Sequence, residues 1–230
     1  MKRWMVLLAI ATVICGCDRI PTDPEGTLDR VRGATMRVGV SISDPWVTDE
    51  AGGFGGVEVE LLEAFAQELD AEVEYFDGSE EELFAALAVH ELDVVIGGLT
   101  SKNPHAAEAG ITHPYFTTAL VVATPDDEDV PDDIAGREVA AERGTEAAGL
   151  LRKTDAVVVE VDAIEQAPGA AAVEDYLLDD LGLIDTGIRL AESDHVMVVP
   201  AGENDFMTTL EGFLLANHNL VEELLEEASP

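Results

Sequence analysis

Basic residues are scarce: 12 Lys and Arg stand against 48 Asp and Glu in 230 residues, a formal net charge of -36. A nucleic-acid partner has to be neutralised by lysines and arginines, so this balance excludes one. The acids run along the whole chain, and their mutual repulsion loosens a compact state until salt shortens the Debye length to about 3 Å near 1 M. The composition therefore points to a halophilic, acidic protein. Cysteine is almost absent, with only Cys15 and Cys17, and neither disulfide nor thiol chemistry is expected beyond them. The sequence lacks a G-x-x-x-x-G-K loop, a C-x-x-C pair, a G-x-S-x-G elbow and internal repeats. His105, Glu108 and His113 fit no metal-ligand spacing, so no metal or cofactor is expected.

Long apolar runs are missing too. The run from Trp4 to Ile14 falls short of the roughly 20 residues a spanning helix needs. Preceded by Lys2 and Arg3 and followed by small residues, it reads as a signal peptide over residues 1–16. Ile14-Cys15-Gly16-Cys17 resembles a lipobox, which implies lipidation of Cys17 and a membrane anchor. Residues 17–32 mix Pro, Gly, Asp and Arg without periodicity and read as a tether, with the fold starting near Gly33.

What remains is 47% hydrophobic over the whole sequence, enough for a core. Met36 to Ser41 reads as a strand. Val57 to Leu69 reads as a helix with Leu61, Phe65 and Leu69 on one face. Glu72 to Phe76 is a strand, Ser79 with Glu82 a capping box opening a helix that carries Leu83, Phe84 and Leu87, and Val94 to Ile96 a buried strand. This alternation predicts an α/β class with parallel pairing. Leu120 to Thr124 is a further strand, and an acidic stretch after Pro125 opens a second unit. There Glu138 to Ala141 and Val157 to Val161 read as strands, Gly144 to Leu151 and Ala170 to Leu181 as helices, His195 to Val199 as a strand, and Phe206 to Leu225 as a closing helix.

From Gly56 the sequence reads Gly-Val-Glu-Val-Glu-Leu, then Leu-Glu-Ala and Phe-Ala-Gln-Glu-Leu. Together with Met36 to Val40, Pro45-Trp46, Leu92 to Thr100, His113-Pro114-Tyr115-Phe116, Asp133 to Gly136 and Gly144-Thr145, it closely resembles the family 3 extracellular solute-binding proteins that serve polar amino acid uptake. It departs from them at Val57, where a larger apolar residue is usual, and at Phe65, where a smaller one is. The resemblance implies two α/β lobes of the periplasmic binding protein type II kind, joined by crossover hinge strands with the ligand cleft between them. On this reading residues 33–122 and 197–230 form lobe 1 and 123–196 lobe 2, with hinges near Val121 to Thr124 and His195 to Val199.

The resemblance also implies site residues. Trp46 would stack on the ligand, while Gly98, Leu99 and Thr100 would meet it at the end of a parallel strand. Gly144 and Thr145 would open a helix toward an anionic group. His105 falls where the family has an arginine that grips the ligand carboxylate, and imidazole lacks that two-pronged permanent charge. Asp175 is the nearest match to the acid that binds the ligand's ammonium group. The expected molecule is a non-enzymatic, monomeric lipoprotein, periplasmic or at the cell surface, whose partners are a small-molecule ligand and the membrane permease of an ABC transporter. Two alternatives stay open: an exported cyclohexadienyl-type dehydratase drawing on Glu58, Glu142 and His105, and a sensory binding module.

Overall fold

The computed structural model describes residues 23–125 and 133–228; the signal segment, Cys17 and the tether before Asp23 lie outside the described residues. The chain runs α1 (Thr27–Val31), β1 (Thr35–Val40), the hairpin β2 (Thr48–Glu50) and β3 (Gly53–Gly55), α2 (Val57–Glu68), β4 (Glu72–Asp77), α3 (Glu80–Ala88), β5 (Val94–Ile96), β6 (Gly110–Ile111) and β7 (Phe116–Pro125). It continues with β8 (Glu138–Glu142), α4 (Glu146–Leu151), β9 (Val157–Val161), β10 (Ala171–Glu174), β11 (Leu183–His195), β12 (Val198–Val199), α5 (Asn204–Ala216) and α6 (His218–Ala228).

Two five-stranded sheets result, ordered β4-β1-β5-β12-β6 and β11-β7-β10-β8-β9. The first has a parallel β4-β1-β5 centre to which β12 adds antiparallel. Its face is covered by α2, α5 and α6, whose Leu61, Leu62, Phe65, Phe206 and Leu210 are fully buried. Phe65 meets Phe206 edge-on at 6.0 Å and Phe213 at 5.3 Å, the packing that dominates this core. The capping box expected at Ser79 is formed: its hydroxyl accepts from Glu82 N, and Glu82 accepts from Ser79 N. The second sheet is mixed, with β7 antiparallel to β10 and β11 but β10-β8-β9 parallel. One face is covered by the short α4 through Ala147, Ala148 and Leu151.

Several expectations are corrected. The fold begins before Gly33: Thr27, Leu28 and Val31 of α1 are buried, and Glu203 accepts from Glu25 N and Thr27 N. Polar, Gly- and Pro-containing composition concealed this because the turn is held by distant carboxylates and not by its own periodicity. The stretch from Ala170, expected as a helix, is β10 followed by a 3₁₀ turn at Asp175–Leu177. Alanine favours helices, but Ala171 and Ala172 sit buried between β7 and β8, where tertiary pairing overrides that preference. The strand expected at His195 to Val199 is the end of the long β11, a break, and then β12. The closing helix is two, divided at Asn217, whose side-chain amide donates to Phe213 O.

The lobe boundary also moves. All of β7 and β11 belongs to the second sheet, and Val121, Val122 and Ala123 are buried within it between β11 and β10. The chain crosses between sheets at Tyr115/Phe116 and at His195/Val196. There Tyr115 N donates to His195 O, Ser101 N to Asp194 O and Val196 N to Leu99 O.

Candidate ligand-binding site

The first-lobe side of the crossing is organised by a buried acid. Gly56, with φ 97°, lets α2 start beneath the Pro45-Trp46 turn, whose carbonyls accept from Val57 N and Glu58 N. Glu58 then points inward and accepts three hydrogen bonds, from Gly97 N at 2.7 Å, Gly98 N at 2.9 Å and the Tyr115 hydroxyl at 2.6 Å. Burial pushes its carboxyl above the ordinary range, against the pull of Tyr115 and the two amides. The same burial, with the Glu58 charge beside it, raises the Tyr115 phenol. This carboxylate fixes the turn that follows β5 and connects it to the first crossing strand.

Gly98 sits at φ 64°, and a Cβ there would lie 2.5 Å from Trp46 Cδ1, so the backbone closes directly on the indole. Trp46 is only 5% exposed. Its ring centroid lies 3.9 Å from that of His195, at an interplanar angle of 31°, with Tyr115 and Phe116 near its other sides. The ring is therefore not offered to a cleft. Leu99 is buried in the core under α3, and Thr100 forms an antiparallel bridge with His195.

The second-lobe side comes from β7, β10 and α4. Thr118 Oγ1 lies 3.1 Å from His195 Nε2, and the Thr118 hydroxyl also serves the Glu174 carboxyl. Burial raises Glu174, opposed by Thr118 and reinforced by the charges of Asp175 and Glu146. Burial likewise raises the Tyr176 phenol, with Glu174, Asp44 and Asp175 adding to it, so this second-lobe tyrosine feels an acid of the first lobe. Gly144 and Thr145 are exposed at the start of α4; the Thr145 hydroxyl donates to Glu142 O and accepts from Ala148 N.

The structure brings Trp46, Gly98 and Thr100 together around His195, and sets Gly144, Thr145 and Asp175 on second-lobe elements linked by α4 and β10 contacts. His105 is not with them. It is exposed on a 3₁₀ turn, its ring 5.8 Å from Phe84, beside a depression of about 290 Å³ that also includes His90 and Pro200. Asp175 lines cavities of about 950 and 600 Å³ shared with Phe116 and Glu222 of α6, and none of Trp46, Gly98, Thr100, Gly144 or Thr145 lines them. Glu142, the other acid weighed for dehydratase chemistry, is exposed, whereas Glu58 is committed to its three donors. Sequence reasoning missed Thr118, Glu174 and Tyr176, and took His195 for a strand residue alone. Among the described residues no group of three or more His, Cys, Asp or Glu could hold a metal ion, and no helix is long and apolar enough to cross a membrane.

Two α/β sheets joined by paired crossings give a two-lobed α/β arrangement of the periplasmic binding protein type II fold. The chain belongs to the bacterial extracellular solute-binding proteins, family 3, whose sequence profile matches residues 36–220. It is similar to the arginine-binding extracellular protein ArtP of Bacillus subtilis, with 22% identity over 147 residues, 63% of this chain and 57% of that one. It is also similar to the probable amino-acid-binding protein YxeM of the same organism, with 27% identity over 166 residues, 67% of this chain and 59% of the relative. The matched stretch thus spans somewhat over half the length of these curated relatives. Among solved structures, the L-cystine solute receptor of Neisseria gonorrhoeae in its unliganded open conformation shares the fold with a TM-score of 0.70 at 19% identity, covering 86% of this chain and 96% of that one.

Proposed function

We propose that this protein captures a small polar solute, an amino acid or related compound, outside the cytoplasm and delivers it to the membrane permease of an ABC transporter, held at the membrane by lipid on Cys17. The observation that carries the reading is the family match over residues 36–220 on a chain that crosses twice between two lobes. A ligand touching both lobes stabilises the closed arrangement through contacts the open one lacks, so capture needs no chemistry. The names of ArtP and YxeM support an amino acid as cargo.

Local charge supports an ammonium group on that cargo. The charges of Asp175 and Glu146 both bear on Glu174, and those of Glu174, Asp175 and, from the first lobe, Asp44 bear on Tyr176. The imidazole that stands in for a carboxylate-gripping arginine, His105, faces away beside Phe84. The cargo site is thus richer in ammonium partners than in carboxylate partners. A thermal-shift screen in high salt tests this, with cationic, neutral and acidic amino acids, osmolytes and simple carboxylates. Ammonium-bearing amino acids should raise the midpoint and carboxylates alone should not. No shift with any amino acid, or wild-type affinity in Asp175→Ala, would refute the reading. Stimulation of a permease–ATPase pair in proteoliposomes separates transport from sensing.

A further inference from the structure

Trp46 is the aromatic surface expected to stack on cargo, yet a side chain of the protein already lies on it. The His195 ring lies against it with centroids 3.9 Å apart and a tilt of 31°, and is 5% exposed, as is Trp46. Its Nε2 is 3.1 Å from Thr118 Oγ1 of the second lobe, while Nδ1 is buried without a hydrogen-bond partner. Thr118 is itself 3% exposed. The slot thus has one aromatic wall from the first lobe and one polar group, the Thr118 hydroxyl, from the second, which suits a planar nitrogen heterocycle. The His195 backbone is pinned by its bridge to Thr100 and its bond from Tyr115 N, so the ring is delivered there by the fold.

From this geometry we infer that His195 is a specificity-determining residue: its imidazole fills the Trp46–Thr118 slot and so keeps flat ring-bearing or guanidinium-bearing cargo groups off the Trp46 face. This rests on the solute-binding reading for its meaning, since the slot matters to cargo only if cargo enters between the lobes. Truncating the side chain should turn the slot into a binding site for free imidazole, the group that it was made to hold. Burial drives the His195 pKa down to about 4, so the resident ring is neutral and the matching probe is neutral imidazole at pH 8.

The test uses the full chain carrying Trp4→Phe, which leaves Trp46 as its one tryptophan. His195→Gly in this background should lower the thermal midpoint. Added imidazole should raise it again by about 5–10 °C at a hundredfold excess over a Kd on the order of 1 mM, with saturable change in Trp46 emission. The chain with His195 intact should show neither response. Thr118→Val added to His195→Gly should weaken imidazole binding by about tenfold, the loss of one hydrogen bond in a buried site. If His195→Gly is unfolded alone, imidazole-induced folding supports the inference and failure to fold at any imidazole concentration overturns it. A folded His195→Gly without a saturable imidazole response overturns it, as does an equal response with His195 in place. Because imidazole is the probe, these outcomes do not depend on any amino acid binding; absence of all cargo binding with imidazole capture intact would refute the transport reading and leave the slot standing.

Discussion

Replacing Glu58 by alanine removes the acceptor of three donors at once, the Gly97 and Gly98 amides and the Tyr115 hydroxyl. Each donor left without a partner costs about 1–3 kcal/mol, so Glu58→Ala should cost about 3–9 kcal/mol, a large part of the roughly 5–15 kcal/mol that holds a domain folded. Tyr115→Phe deletes one donor and leaves the carboxylate its two amides, a loss of about 1–2 kcal/mol. Glu58→Gln keeps an acceptor for the amides, and its behaviour depends on pH. The folded-state pKa of Glu58 is raised above the ordinary 4.5, so the wild-type carboxyl contributes stability at low pH that is lost as pH rises through the folded pKa. Glutamine does not titrate, so Glu58→Gln should gain on wild type as the pH rises above 4.5. Urea unfolding at fixed high salt, followed by Trp46 emission in the Trp4→Phe background and by circular dichroism, reads all three. A Glu58→Ala loss below about 1 kcal/mol, or a Tyr115→Phe loss equal to it, would show that the carboxylate does not organise this turn.

Asp93 is solvent-inaccessible and accepts from Arg30 and from Arg37 at 2.6 and 2.7 Å. Burial raises its carboxyl, but Arg37 and Arg30 outweigh it and hold the pKa below the ordinary 3.8, so its contribution is present above that value and lost as pH falls through the folded pKa. Asp93→Ala should cost about 2–4 kcal/mol by urea unfolding at pH 7, and less in acid. Ser79→Ala removes the α3 capping box and should cost about 1 kcal/mol in the same assay. Raising NaCl from 0.1 to 1 M should lift the thermal midpoint by several degrees as the repulsion among the acids is screened; a midpoint indifferent to salt would sink the high-salt reading.

Where residues announced their own neighbours, the sequence was legible. Leu61 and Phe65 at helical spacing, the Ser79–Glu82 pair and the apolar run at Val94 to Ile96 each carry a local signal, and α2, the α3 cap and β5 stand where those signals put them. The misread segments depend on partners far along the chain. Glu25 and Thr27 are held by Glu203, and Ala171 pairs with Ala123 and Ala140. The candidate site shows the same division. Trp46, Gly98 and Thr100, singled out by the family pattern, lie close together, but His195 reaches them from nearly a hundred residues beyond Gly98, and no local pattern marks Thr118 or Glu174 as its neighbours. The family resemblance made His105 a candidate ligand contact, yet its ring lies against Phe84, and such packing is not carried by a pattern of letters.

The stitching of the N-terminal turn has a mechanical consequence. Asp23 accepts from Leu28 N, Asp205 N and Phe206 N, so the chain is fastened to α5 from its first described residue. With the lipid on Cys17 proposed above, six residue steps separate the anchor from that fastening, a reach of about 20 Å when fully extended. On that proposal the leash would be too short for the protein to roam, and the anchored lobe would stay within about one protein radius of the bilayer. The second lobe, inserted between the two crossings at Phe116 and His195, would then be the half that such an anchor leaves free to move.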